Sequence, residues 1–147
     1  NENIVQNYRY DYLRVEPKIV WAPSALFEVE YKATVSCGGS GIGEDTRLDP
    51  LWDVAQRLTL SLGFHDTDFR LSGEHFYNDL SKDQHLNTWL ADVSLIHKAG
   101  KWRFAASAIN LFNKEQYRYT LYSAVQSYTS WVKLRPREFM VSVQYQW

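Results

Sequence analysis

The sequence is poor in features that mark several common protein classes. It carries one cysteine, Cys37, in 147 residues, which excludes an internal disulfide. Neither sign of charge dominates: 16 Lys and Arg face 17 Asp and Glu, for a net charge of −1. A basic surface for nucleic acid is therefore not expected. No stretch approaches the ~18 consecutive apolar residues of a membrane-spanning helix, and mean hydropathy is −0.43. No window has convincing helical periodicity. The sequence opens on Asn1 with neither an initiator Met nor a signal peptide, so a segment upstream of it is expected.

What the sequence does have is aromatic residues, 16% of the total, with ten Tyr and six Trp. Strands favour such residues, and membrane interfaces concentrate Tyr and Trp. They recur with a period of two. Apolar residues hold every second position in Leu13–Trp21, Phe27–Cys37, Leu58–Phe64, Phe69–Tyr77, Trp89–Leu95, Trp102–Ala108 and Phe139–Trp147. The intervening positions are small, polar or charged: Arg14, Glu16, Lys18, Glu28, Glu30, Lys32, Arg70, Glu74, Asp92 and Arg103. Seven strands are thus expected, each with one apolar and one polar face. Tyr8, Tyr10 and Tyr12 alternate out of phase with Leu13, which suggests a bulge near Asp11–Leu13.

The connections alternate in length. Ala22–Ser24, His65–Thr67 and Lys98–Lys101 are short, whereas Gly38–Leu51, Asn78–Leu86 and Leu111–Pro136 are long. Tight turns on one side and long loops on the other characterise outer-membrane β-barrels, whose alternating strands also keep mean hydropathy low. The pattern implies an all-β fold, an antiparallel transmembrane β-barrel segment spanning 1–147. Single-chain bacterial barrels have even strand numbers, so seven strands imply part of a larger barrel. An added strand within Leu111–Trp131 gives eight, and with it a complete small barrel serving as adhesin, structural protein or narrow pore. A soluble β-sandwich that binds a ligand or protein also shows period two. The aromatic C-terminus and the charged face repeated on strand after strand argue against it.

Two short runs carry a family resemblance. Asn110-Leu111-Phe112-Asn113-Lys114, followed by Tyr117, resembles a signature of TonB-dependent outer-membrane transporters that precedes their last extracellular loop. Leu134-Arg135-Pro136-Arg137-Glu138-Phe139 resembles the family's lead-in to its final strand, with Pro136 where many members have Gly. Val141–Trp147 resembles that final strand, although Trp147 replaces the usual Phe. The motifs span about the last 45 residues; upstream only the strand rhythm matches.

The resemblance implies the C-terminal wall of a larger barrel plugged by an N-terminal domain that this sequence lacks. It implies import of an iron chelate, a cobalamin or a glycan across the Gram-negative outer membrane, driven through the TonB complex. The implied partners are outer-membrane lipid, the rest of the barrel and plug and, in large members, a surface lipoprotein. It also implies that Arg137, Phe139, Val141, Val143, Tyr145 and Trp147 form the strand read by the barrel-assembly machinery, since an unpaired strand edge can pair with another.

Other candidate chemistry is sparse. His65, His75, His85 and His97 are scattered without metal-ligand spacing, so neither a metal nor a cofactor is expected. Gly38–Gly43 lacks the Gly-Lys-Ser/Thr ending of a phosphate-binding loop and reads as a flexible outer loop. Cys37 reads as a packing or rim residue where a strand enters that loop. Tyr119, Tyr122, Tyr128 and Trp131 suit either an aromatic girdle or ligand stacking. No nucleophile–base or paired-carboxylate pattern stands out, and an enzyme is not expected.

Overall fold

The computed structural model of the chain describes residues 8–42, 46–47, 49–81, 84–122 and 127–147. No helix occurs among them. In chain order the strands are β1 Tyr8–Val15, β2 Lys18–Ser24, β3 Phe27–Ile42, β4 Thr46–Arg47, β5 Leu51–Phe64 and β6 Thr67–Ser81. They continue as β7 Gln84–Ala99, β8 Trp102–Ile109, β9 Gln116–Tyr122, β10 Ser127–Lys133 and β11 Glu138–Tyr145. The main sheet is antiparallel in the order β1-β3-β5-β6-β7-β8-β11, with β2 and the two-residue β4 also on β3. It is open, bounded by β1 and β2 at one edge and β11 at the other.

β1 and β2 are one strand interrupted at Pro17. Val15 faces Val35 and Lys18 faces Lys32, so the register is unbroken across the gap. The Pro17 carbonyl accepts from the Ala33 N–H at 3.0 Å, but proline has no N–H to donate in return. The bulge expected near Asp11–Leu13 is absent, because the β1 register is continuous from Tyr8 to Val15. Tyr10 and Tyr12 simply share the face of Arg14, and their phase change marks the end of the apolar face. The irregularity lies instead between Trp21 and Ser24.

Each sequence-derived strand has its counterpart, and several are longer than expected. β3, β6 and β7 run through much of what reads as long loops, since Gly38–Ile42 pairs with β1 and Asn78–Asp79 pairs with Leu86–His85. Backbone pairing needs no apolar face, so a ladder can continue where alternation stops. The glycine-rich stretch is therefore paired strand up to Ile42, and Cys37 sits within β3 opposite both Leu13 and Trp52. The turn after β2 is Ala25–Leu26, that after β5 is His65–Asp66, and that after β7 is Gly100–Lys101. Within the last long connection, β9 and β10 pair only with each other. Among the described residues they add no strand to the main sheet, and no eighth is found in this connection.

The registers set the composition of the two faces. One row reads Trp21, Val29, Leu60, Leu71, Val93, Ala108, Phe139, and the next reads Phe27, Leu62, Phe69, Leu95, Ala106, Val141. The opposite face carries Glu28, Ser61, Arg70 and Ser94 in one row and Arg57, Glu74 and Leu90 in another. Almost nothing covers the apolar face. Ala33 and Ala108 are the only buried hydrophobic residues described, while Phe139 is 73% and Val141 80% exposed.

Candidate functional site

The two motif runs meet at one knot where the chain leaves the sheet. β8 stops at Ile109, and Asn110 takes a left-handed conformation with φ 54°. Asn113 does the same with φ 52°. Asn is one of the few non-glycine residues that tolerate this region, which explains an asparagine at both positions. Between them the Asn113 N–H donates to the Asn110 carbonyl at 2.8 Å, closing a tight turn.

Asn110 then ties the turn to two other segments of the chain. Its Nδ2 donates to the carbonyls of Lys114 and Arg135, each at 2.8 Å. Its Oδ1 accepts from the Lys114 N–H at 2.9 Å. Its backbone N–H donates to Asp92 Oδ1 on β7 at 2.8 Å. The residue is only 5% exposed, so each bond is shielded and costly to leave unmade. Asn113 Oδ1 accepts from the Arg137 N–H at 3.0 Å, and Glu138 then joins the ladder opposite Ile109. The bonded residues of the two runs lie 24 and 25 positions apart in the sequence; the fold puts them in direct contact. Leu111 and exposed Phe112 form the turn itself. Tyr117 lies in β9, and its side chain falls outside what is described, as do those of Tyr119 and Tyr122. Tyr128 and Trp131 are exposed on β10.

The closing strand pairs large residues with small ones: Phe139 faces Ala108 and Val141 faces Ala106. Nearer the turn, Val143 faces Phe104 and Tyr145 faces Trp102. β11 ends at Tyr145, two residues short of the expected Trp147, yet the Gln146 N–H still donates to the Lys101 carbonyl at 2.8 Å. Trp147 is fully exposed and meets the Tyr145 ring edge-on at 5.7 Å. Gln146 bonds inward to β8, so the alternating residues Phe139, Val141, Val143 and Tyr145 turn their N–H and C=O groups to the open edge. Side-chain face and free backbone edge thus belong to the same four residues.

The polar face carries ion pairs that hold neighbouring strands. Lys18 and Lys32 both contact Glu30, at 3.1 and 2.6 Å. Arg57 pairs with Glu74 directly across β5 and β6. Arg57 had no place in the sequence-derived charged face, because β5 extends further than its leucine alternation.

A polar chain crosses the upper part of the apolar face, and sequence reasoning missed it. Tyr31 Oη donates to Gln56 Oε1 at 2.8 Å. Gln56 Nε2 lies 3.1 Å from His75 Nδ1, and His75 Nε2 lies 2.9 Å from Asn87 Oδ1. The His75 ring stacks on Trp89 at 4.2 Å. Four strands contribute, and only registry brings them together. Of the other histidines, His97 meets Thr67 at 2.8 Å, His85 stacks on Tyr77, and His65 occupies a turn with φ 50°. Among the described residues no three His, Cys, Asp or Glu side chains gather as a metal site.

No family model, curated protein or solved structure matches this chain.

Proposed function

We propose that this chain forms the C-terminal wall of a transmembrane β-barrel in the outer membrane, part of a nutrient importer of the TonB-dependent kind. The observation that carries the reading is an uncovered apolar face running across every long strand, backed by a charged face. Exposed apolar surface on this scale marks contact with lipid or another protein. A soluble β-sandwich would cover it with a second sheet, and no second layer lies over it among the described residues.

The dimensions suit a membrane. From Phe27 to Cys37 the apolar face of β3 spans ten residue steps, about 33 Å along the strand. Tilted by roughly 45°, that gives about 23 Å, close to the ~25 Å apolar band of outer-membrane barrels. Charge appears just beyond it, where Arg9 and Asp11 pair at 3.2 Å on the same face. An open edge cannot face hydrocarbon, so in this reading both edges pair with further strands of the same barrel. The transport class rests on the resemblance of Asn110–Lys114, Tyr117 and Arg135–Phe139, and the chain's part in transport is to enclose the path.

Paired substitutions on one strand test the membrane reading. Leu60→Arg places a charge on the apolar face and should cost about 2–4 kcal/mol in bilayer refolding. Ser61→Arg places it on the polar face and should cost little. Equal tolerance of the two, or a folded monomer that needs no detergent, would sink the proposal.

A further inference from the structure

The apolar face is not uniform near the closing strand. Val93 and Leu95 of β7 form one ridge, Phe139 and Val141 of β11 form another, and Ala106 and Ala108 of β8 lie between them as the floor. The trough measures about 220 Å³. Its floor is low because the registers place alanine between larger neighbours on two successive rows.

Following β8 toward the turn, the trough leads to a cluster of aromatic rings. Trp102 stacks with Phe104 at 6.4 Å and tilts onto Tyr145 at 4.9 Å. Lys101 then brings its Nζ over the Tyr145 ring, 5.9 Å from its centroid. Lys98 stands on the same hairpin. Neither lysine is in an ion pair among the described residues. From Ala106 to Lys101 is five residue steps, about 17 Å along the strand. A small-residue trough, an aromatic collar and a cation with no ion-pair partner among the described residues thus lie in one line.

We propose that this line is a binding site for an anionic phospholipid of the leaflet on the short-turn side. One acyl chain lies in the Ala106–Ala108 trough, its upper end passes the Trp102–Tyr145 collar, and the phosphate meets Lys101. The inference rests on the barrel reading, because only there does this face meet lipid. The occupant follows from the chemistry. A second protein strand would need free backbone groups, and those of β8 are bonded to β7 and β11 on either side. An apolar protein side chain would leave Lys101 without a counter-charge. Trp and Tyr prefer the headgroup level of a bilayer, which sets the depth of the phosphate.

The test is photo-crosslinking of the protein in phosphatidylcholine bilayers doped with a diazirine-acyl phosphatidylglycerol, with adducts mapped by peptide mass spectrometry. Adducts should concentrate on β8 and β11 over the equally apolar β3. Lys101→Glu should lower them roughly fivefold, the effect of one basic side chain at an anionic surface, while Lys101→Arg retains them. Ala106→Phe, which fills the trough without touching the ladder, should lower them similarly. Even labelling of the whole apolar face, or labelling indifferent to Lys101 and Ala106, overturns the site but leaves the barrel reading standing. Absence of adducts anywhere on the apolar face overturns the barrel reading itself.

Discussion

Replacing Asn110 should be among the most damaging single changes to the folded chain. Asn110→Ala removes three side-chain hydrogen bonds, leaving the Lys114 N–H and the carbonyls of Lys114 and Arg135 without their partner. At about 1 kcal/mol for each group so abandoned, the loss is about 3 kcal/mol. Alanine must also hold φ 54°, which costs ~1 kcal/mol more than asparagine there. The total is about 4 kcal/mol. Asn110→Gly separates the two terms, because glycine adopts this φ freely and should cost about 3 kcal/mol. Asn110→Asp puts a carboxylate against two carbonyls and near Asp92, and should be at least as damaging as alanine. The assay is reversible urea unfolding in detergent micelles, followed by tryptophan fluorescence. Trp102 faces Tyr145 at the far end of the β8–β11 pairing that Asn110 secures, and Trp147 follows that end. A loss below ~1 kcal/mol for Asn110→Ala, or glycine no better than alanine, would refute the reasoning.

Other expectations follow from close contacts. A Cβ on Gly38 would lie 2.7 Å from Tyr10 Oη, so Gly38→Ala should cost about 1 kcal/mol, and Tyr10→Ala in the same chain should relieve it; unfolding of the three variants measures the coupling. His75→Ala breaks two hydrogen bonds and the Trp89 stack and should cost about 2 kcal/mol, seen as a lower urea midpoint with unchanged slope. The β9–β10 hairpin should be dispensable to the main sheet: its strands pair only with each other and the Leu134 N–H meets the Glu115 carbonyl at 3.0 Å, so a short Gly-Ser bridge replacing 116–133 should preserve the β-sheet circular dichroism.

Much of this architecture was legible in the residues. Period-two alternation located seven strands because a side chain's face depends only on its parity in an extended chain. Alternation faded beyond Cys37 and Tyr77, and there the strands ran on unseen: Gly38–Ile42 and Asn78–Ser81 pair through backbone groups that every residue carries. The misjudged bulge at Asp11–Leu13 has the same origin, since a change in polarity along one face imitates a change of register. Asn110 and Asn113 were marked by resemblance, but their role was hidden, because a hydrogen bond to Arg135 or Arg137 depends on where the chain returns.

The sequence by itself thus determined which residues share a face, and therefore an all-β chain with an apolar and a charged side. Tertiary structure alone decided which strands are neighbours and in what register. That registry built the Tyr31–Gln56–His75–Asn87 chain, the Ala106–Ala108 trough and the Asn110 knot from residues that carry no mark of one another, because each depends on alignment across strands, which no local pattern encodes.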